Sequence, residues 1–207
     1  MSQAQAIAAE LAALAARLTP RGPRGRAVMV CPAAPGAGAS TVTAALASAS
    51  AAARGRPAWL IDLDFANNPQ ARAAALSGPV YDAGSDFWRC EPAGSARLVL
   101  QRRAHEPVFV TRFEHAPGAV RRVGFRSAPD YWMRVRRACA LALVDARRAG
   151  AEVYPIARDM DGVIVVAAEG RAGEHDAADR TAGALEAAGA RVLGVVVNRA
   201  REAGRAA

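Results

Sequence analysis

Two aspartates close the apolar run Leu60-Ile61-Asp62-Leu63-Asp64, and a third closes Ala142-Leu143-Val144-Asp145. Carboxylates placed this way can hold Mg²⁺, directly or through water, or activate a hydroxyl. Another apolar run, Arg26–Cys31, leads into Pro32-Ala-Ala-Pro35-Gly36-Ala37-Gly38-Ala39-Ser40-Thr41, a stretch of small residues. A glycine-rich turn at a helix N-terminus exposes backbone N–H groups, and the helix dipole favours an anion there. The spacing follows that of a phosphate-binding loop, G-x-x-x-x-G-K-[ST]. Ala33 stands at the first glycine, Gly38 at the second, Ala39 where the lysine belongs, and Ser40 at the hydroxyl. On this reading residues Pro35, Gly36, Ala37, Gly38, Ala39, Ser40 and Thr41 cradle a phosphate, and Ser40, Asp62 and Asp145 hold Mg²⁺. A plain strand-to-helix turn, with strand-end aspartates capping helices, is the alternative for the same residues.

The elements that must position these groups are legible as alternating patterns. Short apolar runs bounded by turn residues predict buried parallel strands at 26–31, 57–62, 140–145, 161–167 and 191–198. Helices are expected at 3–18, 40–53, 129–139 and 173–188. The alternation implies an α/β fold: a mostly parallel central sheet with helices on both faces. Ligands of such sheets sit at the carboxyl ends of the strands, so Asp62 and Asp64 are expected to face the loop. Residues 78–137 read as irregular, with strand candidates at 98–101 and 108–111. The expected organisation is a helix and linker over 1–24, one domain over 25–200 and a tail over 201–207. Ile7, Leu11, Leu14 and Leu18 form one helical stripe. It is expected to pack on the domain's own sheet, with a docking helix for a partner as the alternative.

Composition narrows the classes. The chain has 207 residues and a formal net charge of +8, carried by arginine alone, since lysine is absent. That usage fits a GC-rich genome, and it removes any mechanism that needs an ammonium group from this chain. Residues 97–148 hold twelve arginines against four acids. This segment reads as a solvated basic face or as a contact for an acidic partner, anionic lipid or anionic sugar polymer. The aromatics among it, Trp88, Phe109, Phe113, Tyr131 and Trp132, are expected in the core. Cys31, Cys90 and Cys139 lack metal or disulfide spacing and fit a reducing cytoplasm. His105, His115 and His175 are scattered and receive no role. No transmembrane stretch and no signal peptide is expected.

Taken in order, these segments resemble a known family. Val28–Thr41 resembles the Walker A segment of the bacterial tyrosine kinases of the CpsD/CapB type, P-loop NTPases related to MinD and ParA. Leu60-Ile-Asp-Leu-Asp-Phe-Ala-Asn-Asn-Pro69 resembles their Walker A′ motif, and Ala142-Leu-Val-Asp145 their Walker B. Asp161–Val166 and Leu193-Gly-Val-Val-Val-Asn198-Arg199 resemble their last core strands. The resemblance implies ATP or ADP with Mg²⁺ as ligand, with Asn198 and Arg199 beside the base and Asp62, Asp64 and Asp145 in catalysis. It implies a cytoplasmic protein of capsule, exopolysaccharide or holdfast synthesis or export. A membrane polysaccharide co-polymerase is the implied partner, and homo-oligomers are implied as well.

The departures bear on catalysis. Ala39 removes the lysine that would neutralise the β- and γ-phosphates, and phosphoryl transfer rests on such electrostatics. Arg24 and Arg26 precede the first strand and are expected at its opposite end. The C-terminal tyrosine cluster of the kinases is missing, because the tyrosines are Tyr81, Tyr131 and Tyr154. The assembly pattern E-x-x-R-x-x-R would start at Glu10 but meets Ala13 and Ala16. Ala146-Arg147 replaces the proline pair after the Walker B acid. The expectation is a scaffold or regulator with weakened nucleotide binding. The alternatives are an ATPase or tyrosine kinase completed by a partner, a ParA-like DNA binder, and a Rossmann enzyme; the last is disfavoured by Thr41 at the third glycine.

Overall fold

The computed structural model describes residues 3–20, 22–54 and 56–198. Strand β1 (Arg26–Pro32) runs into α2 (Ala39–Arg54) and β2 (Ala58–Asp62), after the N-terminal α1 (Gln3–Leu18). A short α3 (Pro69–Arg72) is followed by β3 (Leu76–Asp82), β4 (Trp88–Glu91), β5 (Ala96–Arg103), β6 (Val108–His115) and β7 (Arg122–Phe125). Then come α4 (Pro129–Ala138), β8 (Leu141–Asp145), α5 (Tyr154–Asp159), β9 (Gly162–Ala168), α6 (Glu174–Ala187) and β10 (Val192–Asn198).

The main sheet has eight strands in the order β10-β9-β1-β8-β2-β6-β5-β3. The strands from β10 to β6 are parallel, and β5 and β3 extend the sheet antiparallel. The expected α/β fold is therefore present. Its central strands are continuous apolar runs because both faces are covered. Along β1, Ala27, Met29 and Cys31 join the core under α4, α5 and α6, while Val28 and Val30 join the core under α2. Burying each Val or Leu side chain contributes about 1.5–3 kcal/mol.

The segment expected to be irregular is built. Both strand candidates lie inside longer strands, β5 and β6, which pair over seven residues from Ala96↔His115 to Arg102↔Phe109. β4 and β7 form a separate two-stranded ribbon. Trp88, Phe113, Tyr131 and Trp132 are buried, and Phe109 is half-buried. Much of the arginine charge is paired across this region: Arg97 and Arg112 with Glu114, Arg103 with Glu106, and Arg134 with Asp86.

The stripe of α1 reaches the core differently from the expectation. It packs against α2 rather than on the sheet, with Ala15 and Leu18 buried and Ile7 exposed. Thr19 and Ser50 share a buried hydroxyl contact of 3.0 Å that ties the end of α1 to α2. No helix among the described residues is long and apolar enough to cross a membrane.

Candidate functional site

The strand-end acids and the small-residue loop meet at the carboxyl edge of the sheet. β2 and β8 run side by side in register, which sets Asp62 beside Asp145. Both are buried. Asp62 Oδ1 accepts the Asp64 amide at 2.9 Å and Oδ2 accepts the Gln70 amide at 3.0 Å. Burial nonetheless pushes the Asp62 carboxyl up to about 7, and the neighbouring Asp145 and Asp64 charges add to the rise. Burial also raises Asp145, opposed by the Gln70 amide and the nearby Ser40 side chain.

Gln70 joins the two halves of this site. Its Nε2 donates to Asp145 Oδ2 at 2.6 Å and to the Ser40 carbonyl at 2.9 Å. One neutral amide thus bridges the start of α2 to the acid of β8. Asp145 Oδ1 is buried with no hydrogen-bond partner among the described residues. That free carboxylate oxygen beside Ser40 suits a hard cation, which prefers oxygen ligands. Both Asp62 oxygens already accept backbone amides, which suits contact through water.

Gly36 and Gly38 turn the loop with φ of 82° and 84°, values that L side chains rarely adopt. Pro35 and Gly36 are exposed at the outer lip, and Ala37 is buried. Ala39 opens α2 with its methyl buried, while Ser40 and Thr41 are exposed beside it. Asn198, at the end of β10, donates from Nδ2 to the Ala37 carbonyl at 3.1 Å. The same Nδ2 lies 2.0 Å from where a Cβ on Gly38 would stand, so a side chain there would displace Asn198 as well as strain the turn. The loop, Ser40, Asp62, Asp145 and Asn198 therefore come together. Arg199 lies outside the described residues.

Asp64 faces the outer side of the loop. It accepts both amide contacts of the Asn67 side chain at 3.0 Å and lies 4.0 Å from Arg147 Nε. It lines a cavity together with Pro35 and Gly36 of the loop. Arg26 is at the far end of β1, bonded to the Arg17 carbonyl at 3.4 Å. Sequence reasoning missed Gln70 and Arg171. Arg171 follows β9 and donates from Nη1 to the Pro35 carbonyl at 2.8 Å, held in turn by the buried Glu174. Among the described residues no cluster of three or more His, Cys, Asp or Glu could hold a metal.

No protein-family model matches the sequence, and no curated protein matches it either. Solved structures do match. The kinase domain of Escherichia coli tyrosine kinase ETK superposes with a TM-score of 0.62 at 15% identity, covering 91% of this chain and 72% of that one. The VpsO kinase domain gives 0.60 at 16% identity, covering 95% and 98%. The BceF tyrosine kinase domain gives 0.59 at 17% identity, covering 92% and 76%. The chain has the fold of the bacterial tyrosine kinase domains. The residue that the sequence pattern sets at the lysine position is Ala39, whose methyl is buried at the start of α2.

Proposed function

We propose that the chain is a bacterial-tyrosine-kinase-like scaffold or regulator of polysaccharide synthesis or export, with impaired phosphoryl transfer. The observation that carries the reading is the buried methyl of Ala39 at the first position of α2. A methyl group supplies no charge to a developing phosphate anion, and loss of such stabilisation costs about 3–4 kcal/mol of barrier. Two further features agree. Burial raises the Asp62 carboxyl to about 7, and Asp145 is braced by a neutral amide. The loop amides, Ser40 and Asn198 would hold ATP or ADP weakly, and Ser40 with Asp145 would hold Mg²⁺, Asp62 acting through water. When bound, that ion would screen phosphate charge. Function then lies in surfaces: a membrane polysaccharide co-polymerase is the proposed partner, engaged from the cytoplasmic side. The domain unit is residues 25–200, with α1 as its N-terminal attachment.

A second reading is favoured by Arg171, whose guanidinium lies against the Pro35-Gly36 lip. It would lend the loop a positive charge from outside and preserve nucleotide binding without lysine, leaving a partner to complete an ATPase or kinase. Mg²⁺-dependent ATP hydrolysis separates the two. The first reading expects no turnover above background, alone or with the co-polymerase. Robust turnover that disappears in Asp62→Ala and Arg171→Ala would replace it with the second.

A further inference from the structure

Arginine recurs just before the parallel strands. Arg24 and Arg26 stand at the start of β1, Arg56 two residues before β2, Arg137 four before β8, Arg158 four before β9, and Arg191 directly before β10. These five strands are neighbours in the sheet, in the order β10-β9-β1-β8-β2. Parallel strands begin at the same edge, so a recurring sequence position becomes a row of cations. Five strands about 4.8 Å apart make the row about 19 Å long. It lies at the amino edge of the sheet, opposite the loop and the strand-end acids.

Backbone carbonyls hold several of these side chains. Arg56 donates from Nη1 to the Pro23 carbonyl at 2.7 Å, and from Nη2 to the Arg137 and Cys139 carbonyls at 3.1 and 3.0 Å. Arg26 Nη1 donates to the Arg17 carbonyl at 3.4 Å, which brings the last turn of α1 to the same edge. Arg158 Nε donates to the Ala188 carbonyl beyond α6. Carbonyls are neutral, so each bond places a guanidinium without cancelling its charge. Among the described residues, none of Arg17, Arg24, Arg26, Arg56, Arg137, Arg158 and Arg191 has a carboxylate within ion-pair distance. All are exposed except Arg56, which is half-buried.

The opposing charge at this edge is smaller. Asp161 is taken by Arg136, and Glu106 by Arg103. Asp159 accepts the Ser127 hydroxyl and the Ala128 amide, and Glu186 lies exposed in the last turn of α6. The carboxyl ends of α1, α2, α4 and α6 gather here too, with about half a negative charge each. Together these do not cancel seven arginines, and a positive surplus remains. Capping of helix ends accounts for Arg56 and Arg158. It does not account for Arg24 and Arg191, whose side chains make no hydrogen bond or ion pair among the described residues.

The way the charge is presented selects the ligand. The forks of Arg26, Arg56 and Arg158 are partly spent on carbonyls, so they do not clasp single phosphates in bidentate geometry. They spread a positive field along the sheet edge instead. A field of that kind attracts a charged plane, as basic residues near a bilayer are drawn to anionic headgroups. Leu193, exposed close behind Arg191, adds an apolar contact.

We propose that the amino edge of the sheet docks on an anionic phospholipid surface through this arginine row, with Arg24 and Arg191 free to reach headgroup phosphates. The edge is remote from the loop, so the docking stands whichever reading of ATP binding holds. Vesicles that contain no protein test it apart from the co-polymerase.

The experiment is flotation of the full chain with vesicles of phosphatidylcholine alone, and of phosphatidylcholine mixed equally with phosphatidylglycerol. At low salt the chain should bind the anionic vesicles about tenfold or more tightly than the neutral ones, and about 0.5 M salt should release it. Arg24→Gln with Arg191→Gln should weaken that binding by about tenfold, with an unchanged melting temperature because both side chains are exposed. Arg89→Gln with Arg180→Gln removes the same charge from exposed positions away from this edge. It should weaken binding by less than about threefold. Equal binding to both kinds of vesicle would overturn the proposal. So would an equal loss in the two double variants, which would assign the binding to net charge alone. A DNA duplex that strips the chain from the anionic vesicles at equal phosphate concentration would assign the edge to nucleic acid and overturn it as well.

Discussion

The two flanks of Asp64 carry opposite chemistry. On the inner flank, a loop of small residues presents backbone amides, the methyl of Ala39 and two buried acids, one braced by Gln70. On the outer flank, a cavity is lined by Arg121, Arg122, Arg147 and Arg148 together with Phe125. The loop itself contributes no arginine, whereas arginines gather about the cavity on the outer side of its Pro35-Gly36 lip. The lesson is that net charge read from composition says little until the fold distributes it. Of the twelve arginines in residues 97–148, Arg97, Arg103 and Arg112 pair with acids on the sheet, Arg136 is buried at its far end, and Arg121, Arg122, Arg147 and Arg148 line the outer cavity.

Predictions follow that division. The largest concerns Arg136, buried at the opposite edge of the sheet. Its Nε donates to Asp161 Oδ2 at 2.7 Å, and its Nη2 donates to the Asp159 carbonyl at 2.6 Å. Asp161 Oδ2 also accepts the Ala27 amide at the start of β1. Arg136→Ala should cost about 3 kcal/mol in a denaturant titration, because it strands a partly buried carboxylate. A loss below about 0.5 kcal/mol would mean that this arginine belongs with the exposed ones and would break the division.

Gln70→Leu is next. It keeps an apolar side chain of similar reach but leaves Asp145 Oδ2 and the Ser40 carbonyl without their donor. The expected loss is about 1–3 kcal/mol of stability. A neutral result would show that the amide does not brace the inner flank.

A pH dependence tests the buried acid of the inner flank. With the Asp62 carboxyl up at about 7, the folded chain keeps a proton that the unfolded chain has released above pH about 4. Stability therefore falls as pH rises from about 4 through about 7, by at most ~1.4 kcal/mol per pH unit. In metal-free buffer the melting temperature should be higher near pH 5 than near pH 7.5, and Asp62→Asn should shrink that difference. An identical difference in the variant would assign the slope to other groups.

Much of this was legible before the structure. Central strands are read easily because burial on both faces leaves unbroken apolar runs, as in Val28–Val30 and Val163–Val166. The strand-end acids Asp62 and Asp145 followed from the same runs. β3, β4 and β7 were missed because Gly78-Pro79 interrupts one and the ribbon strands are only four residues long. The stripe of α1 was visible, but its neighbour was not, since periodicity fixes a face and not what covers it. Gln70 and Arg171 left no local signal. Their contacts to Asp145 and Pro35 span 75 and 136 residues, and only the topology of the sheet closes those distances.

The central claim is that Ala39 leaves the inner flank without the charge a nucleotide needs. Calorimetric titration of MgATP into the native chain and into Ala39→Lys tests it most directly. The account predicts weak or undetectable binding by the native chain and a gain of about tenfold or more in the variant, the scale of one charge-assisted contact. Micromolar binding by the native chain, with no gain on adding the lysine, would contradict it.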